Sequence, residues 1–329
     1  MEKAWAKLNG SYANTEGGHA YWAQHQLTGC PSQTVENDEV DHKQMWNYIK
    51  RTNQRNGTIV TNAKVGADKG IIGAHAYSLI SAHEFSHNGK EIKLVKLRNP
   101  WGDSEWTGDW SDDSPVWTDE LRKLVGCEKA NDGVFFISIK DFVKTYESTH
   151  FCANGNESMM DQHKLFVDFN LQWHPMAFFS FKVAVNTTLA PNLFIAISTH
   201  QQGDRNYWGL EHIPEDDRYH PAVVNIMIFN STGQLLAAKM CQQKNGTLLI
   251  NQDNFPLPKG DYLIVIDPIF ADKGHKDNRY KQMVVKLFFP SGKCTSGLRQ
   301  LDWAKGLEKL AKNLKSLAQT SGTEKNYIC

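Results

Sequence analysis

Polar and apolar residues alternate over residues 74–82 (AHAYSLISA), and apolar positions recur again over 91–98 (EIKLVKLR). Between these runs lies the polar cluster Ser86, His87, Asn88 and Gly89. Alternation on both sides of such a turn signal predicts a β-hairpin centred near Asn88. Counting outward from the turn brings the start of the first strand and the end of the second to the same open end. His75 and Asn99 are therefore expected to be neighbours in space.

Downstream the period changes. A short helix is expected over 121–125, a turn at Asp132 and Gly133, a strand over 134–139, and a helix capped by Asp141 and running to Tyr146. Residues 153–162 (ANGNESMMDQ) are polar, follow no period, and read as a linker. Beyond them, apolar runs recur at 164–171, 176–185, 192–198, 223–230, 234–240, 247–250, 260–268 and 283–289. Turn residues separate them and no long helix intervenes, which predicts a β-sandwich.

Helical spacing appears at both ends. Ala4, Trp5, Leu8 and Tyr12 place a helix almost at Met1, with an apolar face that a protein partner is expected to cover. Trp303, Leu307, Leu310, Leu314 and Leu317 are spaced four, three, four and three within 302–318, a heptad-like seam. That seam is suited equally to a partner or to the chain's own sandwich. The expected architecture is α+β: an antiparallel β half with helices over 1–152, the linker 153–162, an all-β sandwich over 163–290, and an amphipathic helix over 300–319.

Composition narrows the function classes. The 329 residues, 40% of them hydrophobic, provide enough apolar surface for two cores. The 36 basic and 36 acidic residues cancel, so no global field recruits nucleic acid or an anionic membrane. Six scattered cysteines fit a reducing compartment better than a disulfide scaffold. Neither a signal-like apolar core nor an 18-residue apolar run is present, so no transmembrane segment is expected and a cytoplasmic location is.

The chemistry resides in two short motifs, GAHAY at 73–77 and RNPWG at 98–102. A thiol protease needs an imidazole to take the thiol's proton and a carboxamide or carboxylate to fix that imidazole's tautomer. His75 and Asn99 are suitable types for these tasks. The two motifs, followed by EWTGDWSDD at 105–113 and preceded by EKAWAKLNGSY at 2–12, resemble the second protease subdomain of the calpain family of cysteine proteases. The run GVFFISIKDFVKTY at 133–146 resembles that subdomain's ending. NLFIAISTHQQGDR at 192–205 and LPKGDYLIVIDPIF at 257–270 resemble the family's C2-like third domain.

The resemblance implies roles. His75 is the general base, Asn99 its orienting partner, and Trp101 the indole that shields their hydrogen bond from water. Glu105, Asp112 and Asp132 fall on three of the family's calcium-ligand positions, while Val134 stands where the family has an acid, so calcium binding is expected to be weakened or absent. The family's nucleophile belongs to a preceding subdomain. Of the six cysteines, Cys30 alone precedes His75, in a proline-adjacent loop that lacks the nucleophile's motif.

The expected function is thus a calpain-like, non-catalytic scaffold or assembly component, associated with the cytoskeleton as a member of this family. The alternative is part of a calcium-dependent cysteine endopeptidase, either a fragment or a half completed by a Cys-bearing chain.

Overall fold

The computed structural model describes residues 1–8, 11–15, 17–18, 20–28, 30, 32–54, 56–152, 160–168, 176–184, 194–198, 223–241, 247–251, 258–269, 282–290 and 299–321. The chain divides into two compact units, His19–Gly155 and Met1–Gly18 together with Asn156–Cys329. Residues 153–159 of the expected linker lie outside the described residues.

The His19–Gly155 unit is built on a six-stranded antiparallel sheet in the order β1-β6-β2-β3-β4-β5. Its strands are β1 (Ser32–Glu36), β2 (Thr58–Ala63), β3 (Ala76–His87), β4 (Lys90–Arg98), β5 (Val134–Ser138) and β6 (Tyr146–Cys152). The hairpin β3–β4 is tighter and longer than its sequence pattern predicts. Asn88 and Gly89 alone form the loop, at φ 50° and 72°, and His87 pairs directly with Lys90. Two successive left-handed residues match the twist of the flanking strands, which is why Asn-Gly is favoured there.

A bulge interrupts this hairpin. Leu79 faces Leu97 but Ser81 faces Lys96, so Ile80 is an extra residue.

Four helices pack in this unit: α2 (Ala20–Thr28), α3 (His42–Gln54), α4 (Asp119–Val125) and α5 (Ile139–Thr145). Strand alternation divides the core into two layers. On one face Ile59, Tyr77, Leu79, Val95, Leu97, Phe135 and Ile137 pack with Met45, Trp46 and Ile49 of α3 and Ile139 and Phe142 of α5. On the other, Leu94 and Phe136 pack with Trp117, Leu121, Val125 and Cys127.

Asp41 starts α3: its carboxylate accepts from Lys43 N and Gln44 N, and Gln44 Oε1 accepts in return from Asp41 N. The cap of α5 is Ser138, not Asp141. Ser138 Oγ accepts from Asp141 N and donates to Asp141 Oδ2 at 2.6 Å, so the serine satisfies the orphan amide and the aspartate holds the serine.

In the other unit, α1 spans Glu2–Leu8, and Tyr12 lies beyond it, exposed. Ala6 is buried and Ala4 exposed, so the covered face is rotated from the one the spacing suggests. The strands are β7 (Met160–Asp168), β8 (Ala177–Val183), β9 (Phe194–Ser198), β10 (Val223–Asn230), β11 (Leu235–Cys241), β12 (Thr247–Asn251), β13 (Gly260–Ile269), β14 (Gln282–Pro290) and β15 (Arg299–Gln300). Each of the eight expected runs contains a strand, with residues 169–171, 185 and 192–193 of them outside the described residues, and β7 begins at Met160, inside the span read as linker.

β11-β10-β13-β8-β15 form one antiparallel sheet, while β7 pairs with β14 and β9 with β12. β14 also runs against β9.

The helix α6 (Trp303–Ser321) docks on the first of these sheets. Asp302 Oδ1 accepts from Lys305 N at its start. Leu310 and Trp303 pack on Phe178, Phe229, Leu263 and Val265. Among the described side chains the heptad-like seam is divided: Gly306, Leu310 and Asn313 are buried, whereas Leu307 and Leu314 are 37% and 50% exposed. The sheet covers the stripe of Gly306, Leu310 and Asn313, one position before Leu307 and Leu314, and glycine is required on it because a Cβ at Gly306 would stand 2.2 Å from the Phe178 ring.

Gly306→Ala is accordingly expected to lower stability by about 1–3 kcal/mol through overpacking, outweighing the roughly 1 kcal/mol gained in helix propensity. Urea unfolding followed by circular dichroism measures this, and an unchanged or raised midpoint would show that Phe178 yields.

Candidate active site

His75 stands just before β3, on a turn whose backbone is closely constrained. A Cβ on Gly73 would lie 2.9 Å from both Gly66 N and Lys64 O, so the chain passes there only as glycine. Ala74 follows at φ 53°, a left-handed conformation that costs a non-glycine residue about 1 kcal/mol. Ala74 N and Ala63 N close the turn onto β2 by bonding Ala63 O and His75 O. Tyr77, two residues on, is fully buried and its hydroxyl accepts from Ile72 N at 2.9 Å, while its ring meets the imidazole edge-on at 5.1 Å.

Asn99 follows the last residue of β4 and is 0% exposed. Its amide orientation is fixed by its neighbours. Nδ2 donates to Asp103 O at 2.6 Å and to Ser104 O at 3.3 Å, which leaves Oδ1 as the acceptor. Oδ1 takes Trp101 N at 3.1 Å and lies 2.9 Å from His75 Nε2. An acceptor facing Nε2 requires a proton there, so the neutral ring keeps its lone pair on Nδ1. The resulting arrangement is an imidazole held in one tautomer with Nδ1 as its basic nitrogen.

The Trp101 ring centroid lies 4.3 Å from that of His75, tilted by 39°, and Trp101 is 63% exposed. One indole face covers the imidazole while the rest of the side chain meets solvent.

The acidic residues lie beneath. Glu105 Oε1 accepts from Asp132 N and Gly133 N, at 2.9 and 2.7 Å, and Asp132 Oδ1 accepts from Val134 N. Asp112 is 9% exposed; its Oδ2 accepts from Ala130 N, and its Oδ1 is buried without a partner. Burial, with further contributions from the charges of Glu105 and Asp132, raises the Asp112 carboxyl to about 6. Among the described residues no three His, Cys, Asp or Glu side chains are grouped closely enough to hold a metal ion. The set as it stands does not fit a calcium shell, because all three of its carboxylates accept from backbone amides.

These acids nevertheless connect to the imidazole. Gly133, whose amide Glu105 holds, accepts from Asn99 N at 2.8 Å, and a Cβ at Gly133 would meet Asn99 O at 2.8 Å. The sequence pattern indicates the turn at Gly133 but not this support. The tyrosine of GAHAY and the glycine of NDG, each adjoining a residue of the site, are the signals that mark Tyr77 and Gly133.

The described thiols of this unit lie elsewhere. Cys152 occupies the far end of β6 from Tyr146, which pairs with Ala63 beside His75. Six residues of strand separate those ends by roughly 20 Å, and Cys30 lies at the Cys152 end, near Thr28. Cys127 is buried in the α4 layer.

A family model described as calpain family cysteine protease matches residues 1–153. Over residues 1–153 the chain belongs to the calpain family. Calpain-8 of Rattus norvegicus is 34% identical over 187 residues, covering 53% of this chain and 26% of that protein. A calpain of Schistosoma mansoni is 36% identical over 169 residues, covering 48% and 22%. The calpain-type cysteine protease DEK1 of Arabidopsis thaliana is 33% identical over 165 residues, covering 46% and 8%. The matched segment thus spans about a quarter of the first two relatives and less than a tenth of the third.

Within this calpain-family segment the Asp112 carboxyl gives a pH signature. Its pKa is raised in the folded state, so its favourable contribution is complete below its ordinary value of 3.8 and is lost as pH rises through about 6. In chelator, the melting temperature of the native protein should fall relative to Asp112→Asn between about pH 4 and pH 7. Parallel curves for the two proteins would mean that water reaches Oδ1.

Proposed function

We propose that this chain carries the base-bearing half of a calpain-type thiol protease core, hydrolyses no peptide by itself, and acts as a non-catalytic scaffold or assembly component. One observation carries this reading: His75 and Asn99 are joined at 2.9 Å under Trp101, while the described cysteines of the same unit lie away from them. Without a thiol beside Nδ1 there is no nucleophile for the base to activate. The exposed Trp101 indole and the half-buried imidazole then present a surface for another polypeptide.

The completeness of the dyad favours a second reading, that of a cysteine endopeptidase half completed by a Cys-bearing segment, within a longer polypeptide or in trans. In it, His75 Nδ1 takes the proton of the incoming thiol, and the thiolate attacks the peptide carbonyl. The imidazolium then returns the proton to the departing amine. Asn99 Oδ1 holds Nε2–H throughout, and Trp101 keeps water from that bond. The antiparallel sheets of the Asn156–Cys329 part, with the docked helix α6, support a C2-like module in the same chain. No described helix is long and apolar enough to cross a membrane, which is in keeping with the cytosolic location proposed here.

The purified chain is expected to leave casein intact with calcium present; cleavage blocked by a thiol alkylator would refute the non-catalytic reading. Adding a calpain subdomain that bears the cysteine separates the alternatives. Recovered cleavage that His75→Ala abolishes would establish the half-enzyme, and its absence would support the scaffold.

Calcium binding to the acidic set is proposed to be weak, because Val134 supplies no oxygen and Glu105 is engaged by Asp132 N and Gly133 N. Millimolar calcium should leave the melting temperature of the native protein within about 1 °C of its value in chelator, and Val134→Glu should enlarge that response several-fold. A native response of many degrees would show that the remaining oxygens suffice.

A further inference from the structure

Two cysteines come together at the end of the sheet opposite His75. Cys152 closes β6, paired with Ser32 of β1 on one side and Thr58 of β2 on the other. Cys30 precedes Ser32 by two residues. Both contact Thr28 at the end of α2. Thr28 Oγ1 lies 3.4 Å from Cys152 Sγ and accepts from Cys30 N at 3.1 Å, and Cys30 Sγ lies 3.6 Å from Thr28 O.

One threonine therefore touches both cysteines. Each sulfur lies within 3.6 Å of an oxygen of that one threonine, and Cys30 stands two residues before the Ser32–Cys152 pair. Cys30 lies outside the strand ladder, so no ladder hydrogen bond has to break for its backbone to move toward the Cα separation of under about 7 Å that a disulfide requires.

Their settings differ in a way that orders their reactivity. Cys30 is half-buried, within reach of a small oxidant, whereas Cys152 is fully buried. Burial pushes the Cys152 thiol up to about 11, and charge on Cys30 adds to that rise, as expected of two groups within electrostatic range.

We propose that Cys30 and Cys152 form a redox pair that a hydroperoxide converts into a disulfide. The Cys30 thiolate attacks one peroxide oxygen and the O–O bond breaks, leaving a sulfenic acid and hydroxide. Hydroxide takes the proton of the Cys152 thiol to give water. The Cys152 sulfur then attacks the Cys30 sulfur, the S–O bond breaks, and the departing hydroxide takes up a proton. For hydrogen peroxide, two thiols and one oxidant yield one disulfide and two waters. The bond would fasten the α2–β1 junction to the last strand of the unit and close a loop of about 120 residues, which restricts the unfolded chain.

The test treats the full chain with millimolar hydrogen peroxide, alkylates it in denaturant and maps the peptides by mass spectrometry. The Cys30 and Cys152 peptides are expected as one linked species, absent in Cys30→Ser and in Cys152→Ala but kept in Cys127→Ser. The melting temperature of the His19–Gly155 unit should rise by about 5 °C on oxidation, and not in Cys30→Ser, whose half-buried position makes it the milder substitution. Separately alkylated Cys30 and Cys152, or Cys30 halted as sulfinic acid beside an alkylated Cys152, would overturn the pair. A linked species that melts no higher would overturn the fastening.

Discussion

A carboxamide taken completely out of water organises the candidate site. Burying an amide without partners costs on the order of 2–7 kcal/mol, so each polar atom of Asn99 requires a partner from the fold. The partners come from separate stretches of chain: Asp103 O and Ser104 O just downstream, Gly133 O at the start of β5, and the imidazole before β3. Satisfying this one residue, through its side chain and its backbone N–H, fixes the RNPWG loop, the NDG turn and His75 relative to one another. The tautomer of His75 follows from this arrangement, because an amide that donates through Nδ2 can only accept through Oδ1.

The hairpin was readable from sequence because its information is local. Asn88-Gly89 prescribes the turn, alternation prescribes the strands, and counting outward locates His75 and Asn99. The apolar runs that become β7 to β14 were readable for the same reason. Helix α3 left a trace that periodicity over the hairpin does not reach: Asp41 with Gln44 as a reciprocal cap, then Met45, Trp46 and Ile49 on one side.

Strand β6 was not legible, and the cause is physical. It lies between β1 and β2 with nearly every residue buried, so it carries no polar face. Its polar residues are satisfied by distant ones: Thr149 Oγ1 bonds Asn37, Ser148 O accepts from Thr61, and the His150 ring lies between Thr34 and Asn62. Such a strand resembles a loop until its neighbours are known. The Glu105 to Gly133 to Asn99 linkage was hidden likewise, since it joins motifs almost thirty residues apart through backbone atoms that residue type does not reveal.

The extra residue at Ile80 acts on the hairpin much as a frameshift acts on a message. Before it, Tyr77 and Leu79 point toward α3 and α5. After it the parity is inverted, so Ala82 joins that same layer and Glu84 reaches Lys50 of α3, while Phe85 and His83 turn to the Trp110 and Phe136 side. One inserted position thus exchanges which parity of β3 faces α3 and which faces the α4 layer. The imidazole end and the turn end of β3 are read in opposite parity, so the odd-numbered positions that face α3 beside His75 face the α4 layer beyond the bulge.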